Sequence, residues 1–149
     1  MLTKHFMLQK FFKNKDISEK LKLRLKNTIT DKTLTYASES WTLAKRDRKQ
    51  WNILERKVTR RILGPVYDEK ENWRILANKE IYSRVRKLTI IEIIRLNRLC
   101  WFGHVQRMEE NRIPKRVLCM NVGTTRLKGR PRNRWQDEVR EDGRIVGGG

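Results

Sequence analysis

Along much of this 149-residue chain, apolar positions recur three or four residues apart, the period of a helix with one buried face. Trp51, Leu54, Val58 and Ile62 form the clearest such stripe. Asp47 stands ahead of it, where its carboxylate can accept from the free amides of a first turn. Gly64 and Pro65 follow and end the helix, because Gly adopts the left-handed conformation and Pro cannot continue the ladder. A second helix is expected between Ser18 and Thr30 on Leu21, Leu25 and Ile29. Leu21, Leu23 and Leu25 also alternate as a strand would, but the intervening Lys20, Lys22, Arg24 and Lys26 are good helix formers. Thr33 to Thr42, rich in Ser, Thr and aromatics, reads as an extended connector or a short helix. Asn78 is expected to cap a short helix bearing Ile81, Tyr82 and Val85. Thr89 and Glu92 make the Thr-x-x-Glu pattern of a capping box before Ile90, Ile91, Ile93, Ile94 and Leu96, and that helix should run to about Met108.

After Asn111 the pattern changes. Eight basic residues and no acidic one lie between Arg112 and Arg134, and Gly123, Gly129 and Pro131 interrupt any periodicity. Pro114 suits the first turn of a short helix through Val117 and Leu118, and Trp135 with Val139 gives a last amphipathic turn or two before Gly143. The predicted fold is mainly α, with an irregular helical region over residues 1–110 and a basic, partly disordered segment over 111–149.

Charge narrows the partner. Lys and Arg number 36 against 17 Asp and Glu, a net charge of +19 that counterions or a polyanion must offset, and nucleic acid is the commonest such polyanion. An anionic membrane surface competes, but no run approaches the roughly 18 apolar residues of a spanning helix. Met1 to Lys15 is basic, apolar and acid-free, compatible with a mitochondrial presequence or with the first helix of a piece of a larger protein. Two cysteines, Cys100 and Cys119, are too few to staple a secreted scaffold, so an intracellular compartment, nuclear or cytoplasmic, is expected.

Four constellations could carry chemistry. Lys128-Gly129-Arg130-Pro131-Arg132 is similar to an AT-hook, whose extended Gly-Arg-Pro core lays guanidiniums in a narrow groove; a solvated basic loop is the plainer alternative. Arg134 and Trp135 set a guanidinium fork beside an indole face, fit to pair a phosphate and stack a base, although Trp135 and Val139 also read as a helix face packed on the body of the protein. Cys100 and His104 lie four apart on a helix, and Cys119 or His5 could complete a zinc site, but a buried thiol and a hydrogen-bonded imidazole fit the spacing better. The acids Glu109-Glu110, Asp137-Glu138 and Glu141-Asp142 read as solvated helix ends paired locally with Arg, not as ligands of catalytic ions.

Four segments then fall into a recognisable order: Tyr36 to Trp41 (YASESW), Glu55 to Pro65 (ERKVTRRILGP), Trp101 to Met108 (WFGHVQRM), and Gly129-Arg130-Pro131 followed by Arg134-Trp135 and Asp137. Together, from about residue 11 to residue 142, they resemble the C-terminal part of insect-type non-LTR retrotransposon reverse transcriptases. The resemblance implies a helical, thumb-like region downstream of the polymerase palm and a basic tail that helps hold RNA template and DNA target. It implies that the palm, with its magnesium-binding aspartates, belongs to an upstream domain, and no adjacent Asp-Asp pair occurs in this chain. Ala37 stands where the family usually has Gly, Thr30 to Thr33 departs from its usual Pro-containing stretch, and the chain ends soon after Asp142, as a decayed or truncated copy would. The expectation is a fragment without catalytic residues or cofactors of its own, contacting RNA or DNA backbone through Lys115, Arg116, Arg126, Lys128, Arg130, Arg132 and Arg134, with Trp135 beside them. A minor-groove module built on the Gly-Arg-Pro segment, a residual enzyme and an inert remnant are the alternatives.

Overall fold

The computed structural model describes residues 9–68, 72–120 and 134–147. It is mainly α, and the described residues pack as two units, those within 9–36 and 45–91 and those within 37–44 and 92–147.

The first unit contains α1 (Gln9–Lys13), α2 (Glu19–Leu25), the one-turn α3 (Lys32–Leu34), α4 (Lys45–Leu63), a two-stranded hairpin and α5 (Asn78–Val85). The apolar stripe of α4 does what its spacing predicts. Val58 and Ile62 are buried against Phe12, and Phe11, Leu23, Leu25 and Leu54 close around them, each buried side chain contributing about 1.5–3 kcal/mol. Asp47 lies inside the first turn of α4 instead of ahead of it, where its charge still favours the positive helix end. Gly64 ends the helix at φ 70°, and its amide donates to the Arg60 carbonyl at 2.9 Å.

The helix expected from Ser18 to Thr30 is only partly regular. Ser18 caps α2, its hydroxyl accepting from the Leu21 amide at 3.4 Å, but Lys26–Asp31 then form a π-helical turn. A π turn bonds i to i+5 and shifts the phase of the helix face. Leu21 and Ile29, expected inside, are 51% and 43% exposed, while Lys26 is 3% exposed. The phase follows a buried charge cluster: Lys26 Nζ lies 2.9 Å from Asp31 Oδ2 and 3.7 Å from Glu55 Oε1. Glu55 Oε2 also accepts the Ile90 amide at 3.3 Å. Burial raises the Glu55 pKa, and the Lys26 charge opposes that shift.

Two further features differ from the sequence expectation. Val66–Tyr67 (β1) pair antiparallel with Trp73–Arg74 (β2), a hairpin too short to leave a period-two signature. Asn78 is the first residue of α5 and does not cap it. Ala77 occupies the cap position, and the Glu80 carboxylate accepts the Ala77 amide at 2.7 Å while Arg74 grips it with two bonds of 2.8 and 2.6 Å.

α6 (Ile90–Gln106) begins in the first unit, and from Glu92 onward it forms the second, where Ile94 and Val105 are buried, with α7 (Ile113–Cys119), α8 (Trp135–Val146) and a 3-10 turn at Ser38–Ser40. Pro114 stands in the first turn of α7, as expected. The centre of the unit is polar. Arg98, 1% exposed, donates from Nη1 to the Trp41 carbonyl at 2.9 Å and to Glu138 Oε2 at 3.1 Å, and its Nε lies 2.8 Å from Asp142 Oδ2. Arg95 approaches the other Asp142 oxygen at 3.4 Å. The acidic pairs of this helix therefore divide. Asp137 and Glu141 pair locally with Arg140 and Arg144, while Glu138 and Asp142, one turn apart on a neighbouring face, are buried and close on α6. Because two successive turns are anchored this way, α8 continues past Gly143, where the sequence suggested it would stop.

Ala37 sits at φ 55° and ψ 24°, the left-handed region that costs a non-glycine residue about 1–2 kcal/mol. The retrotransposon resemblance places Gly at this position.

Three outcomes follow for solution stability. Arg98→Met should destabilise the chain by about 3–5 kcal/mol, because it takes the buried guanidinium away from two buried carboxylates, and adding Glu138→Gln and Asp142→Asn should recover part of the loss in urea titrations. Ala37→Gly should stabilise by about 0.5–1 kcal/mol, the relief of strain exceeding the extra chain entropy that Gly loses on folding. Glu80 is held at a pKa of about 2, below its ordinary 4.5, first by the Arg74 hydrogen bonds and then by the Ala77 amide. Its contribution is thus complete above pH 4.5 and lost as pH falls toward about 2, so the stability gap between wild type and Glu80→Gln should close across that window. A gap that stays constant on acidification would contradict the assignment.

Candidate nucleic-acid interface

The residues expected to contact nucleic acid divide into three groups. Arg126, Lys128, Arg130 and Arg132, and with them the AT-hook-like motif, lie outside the described residues. Lys115, on α7, is engaged within the protein: its Nζ donates to the Gln106 carbonyl at 2.8 Å and to Gln106 Oε1 at 3.0 Å, placing a positive charge at the C-terminal end of α6. Arg116 and Arg134 are exposed. Arg134 adopts an extended conformation just before α8, and its carbonyl accepts the Asp137 and Glu138 amides.

Trp135 is half-buried and serves the fold at one edge. Its Nε1 donates to the Glu39 carbonyl at 2.7 Å, and its ring centroid lies 6.3 Å from that of Phe102. The remainder of the side chain faces a cavity of about 660 Å³ that it lines with Trp101, Ile113, Val117 and Leu118, with Arg134 also on its wall. Gln136 Nε2 ties the start of α8 to the last turn of α7 through the Leu118 carbonyl at 2.8 Å. An apolar cleft with indole on its walls and a guanidinium beside it can stack an unpaired base while pairing the adjoining phosphate. The reading of Trp135 as a helix face packed on the protein is the one these contacts match.

Cys100 and Cys119 are exposed thiols, and His104 packs its ring 5.5 Å from Trp101. Among the described residues no group of three or more His, Cys, Asp or Glu could hold a metal ion, and no helix is long and apolar enough to cross a membrane.

A second basic surface escaped the sequence reading, which followed only the apolar stripe of α4. On the other side of that helix, Ile53, Arg56, Lys57 and Arg60 line a recess of about 450 Å³ with Asn78 of α5. Arg60 is held in place, donating from Nε to the Leu76 carbonyl at 3.2 Å and from Nη2 to Asn78 Oδ1 at 2.6 Å. The signal was present in the sequence as basic residues repeating on the helical period, half a turn from Val58 and Ile62.

No family model matches the chain, and no solved structure matches it either. Over 125 residues, 83% of its length, the chain is 26% identical to an uncharacterised transposon-derived protein of Caenorhabditis elegans, of which it spans 44%. That likeness connects this helical, strongly basic chain with transposable elements.

Proposed function

We propose that the chain is a C-terminal part of a non-LTR retrotransposon reverse transcriptase, one that holds RNA or DNA by its backbone and leaves polymerisation to an upstream palm. The observation that carries this reading is the acid-free stretch from Arg112 to Arg134, with eight basic residues, attached to a helical body. The order of the four sequence segments and the likeness to a transposon-derived protein support the family; the exposed Arg116, and the exposed Arg134 on the wall of the indole-lined cleft, support the partner.

Contacts of this kind are to phosphates and carry little sequence information. Lys115 contributes as part of the α6 terminus, adding charge near Arg116 without a free side chain of its own. If about five of the seven arm cations neutralise phosphates on duplex DNA, they contribute a slope of roughly −4.5 to log affinity against log salt. Replacing all seven by Gln should flatten the wild-type slope by that amount, and an unchanged slope would sink the reading. Metal-dependent primer extension by the isolated chain should yield no product, whereas extension would move the catalytic carboxylates into this fragment.

A further inference from the structure

We infer that α4 carries a second phosphate-tracking surface, separate from the C-terminal arm, that takes the backbone of a nucleic-acid duplex. Arg46, Lys49, Arg56, Lys57 and Arg60 fall within about 100° of arc on this helix, at 3.6 residues per turn. From the first to the last the rise is about 21 Å, at 1.5 Å per residue. The arc lies opposite Val58 and Ile62, so burying the apolar stripe turns the basic one to solvent. Arg46, Lys49 and Lys57 are exposed, and no acid lies in the arc.

The cations differ in how they are held. Among the described residues Arg46, Lys49, Arg56 and Lys57 make no side-chain ion pair or hydrogen bond, leaving their charge available. Arg60 instead is oriented by Leu76 and Asn78 at the wall of the recess, next to Arg56 and Lys57. Three cations around one recess suit a phosphate, and the straight row leading to it suits a stiff polyanion with closely spaced charges, since a duplex carries one per about 1.7 Å. A membrane surface fits less well. A helix lying in a bilayer interface inserts its apolar face, and the apolar face of α4 is occupied by the core of its own unit.

The inference rests on the reading that the partner is nucleic acid, but not on the arm. The test uses the full chain and a short mixed-sequence DNA duplex, with affinity measured across a salt series. The variant Arg46→Gln/Lys49→Gln/Arg56→Gln/Lys57→Gln should retain the wild-type circular dichroism spectrum and melt, and should flatten the log–log slope by about 3.6 if all four contact phosphates at about −0.9 each. The charge-keeping variant Lys49→Arg/Arg56→Lys/Lys57→Arg should keep the wild-type slope. A folded quadruple variant with an unaltered slope, alongside an arm variant that flattens it, overturns the α4 surface and leaves the proposed function standing. Failure of the wild-type chain to bind duplex overturns both. Tighter, α4-dependent capture by phosphatidylserine vesicles than by duplex at equal salt assigns the stripe to a membrane and overturns the inference.

Discussion

The Arg98 guanidinium is taken almost wholly out of water, and the second unit is organised around satisfying it. An arginine cannot escape burial by losing its proton, so the unit must supply counter-charge and acceptors in fixed places. Glu138 and Asp142 do so from successive turns of α8, and the Trp41 carbonyl does so from the segment before α4. Those contacts fix which face of α8 turns inward, which buries Val139 and brings Trp135 to Phe102 and the Glu39 carbonyl. The indole-lined cleft is therefore a consequence of a buried ion cluster as much as of apolar packing. Such a cluster adds little net stability over a hydrophobic substitute, but it penalises any arrangement in which its members fail to meet.

The first unit repeats the device. There Asp31 and Glu55 flank Lys26, and the raised Glu55 pKa records the cost of placing carboxylates in a poorly solvated site. Glu55 offsets part of that cost by receiving the Ile90 amide, so the same carboxylate that balances Lys26 secures the first residue of α6. A π turn over Lys26–Asp31 is the local price of bringing the lysine inward.

These clusters mark the limit of what the sequence made legible. The stripe on α4, its Gly64 stop, the Pro114 helix and the start of α6 at Ile90 were all readable, because each depends on residues close together in the chain. Burial of Lys26, Arg98, Glu138 and Asp142 was not. Charged residues at helical spacing look solvated until a partner is known, and Arg98 meets Glu138 forty residues away. Leu21 and Ile29 turn outward for the same reason, since the phase of their helix is set by Lys26 and its partners. At the candidate interface, Arg134 beside Trp135 was legible as a dipeptide, but the cleft they share with α7 needed the fold.

Sorting the cations by what they already touch gives the net charge a geometry. Lys26, Arg74 and Arg98 meet carboxylates inside their units, and Lys115 meets the end of α6, so none of these is at liberty to follow a partner. Arg116 and Arg134 on one unit, and Arg56 and Lys57 on the other, have no such engagement among the described residues. Among the described residues, Asp31, Glu55, Asp68, Glu80, Glu138 and Asp142 sit against Lys26, Arg74, Arg95 and Arg98, whereas the basic arc of α4 contains no acid. A chain that only needed solubility would gain from interspersing the two signs across its exterior. Local acid-free surfaces instead raise the field where a polyanion would lie, which is the arrangement that favours sequence-independent holding of a phosphate backbone.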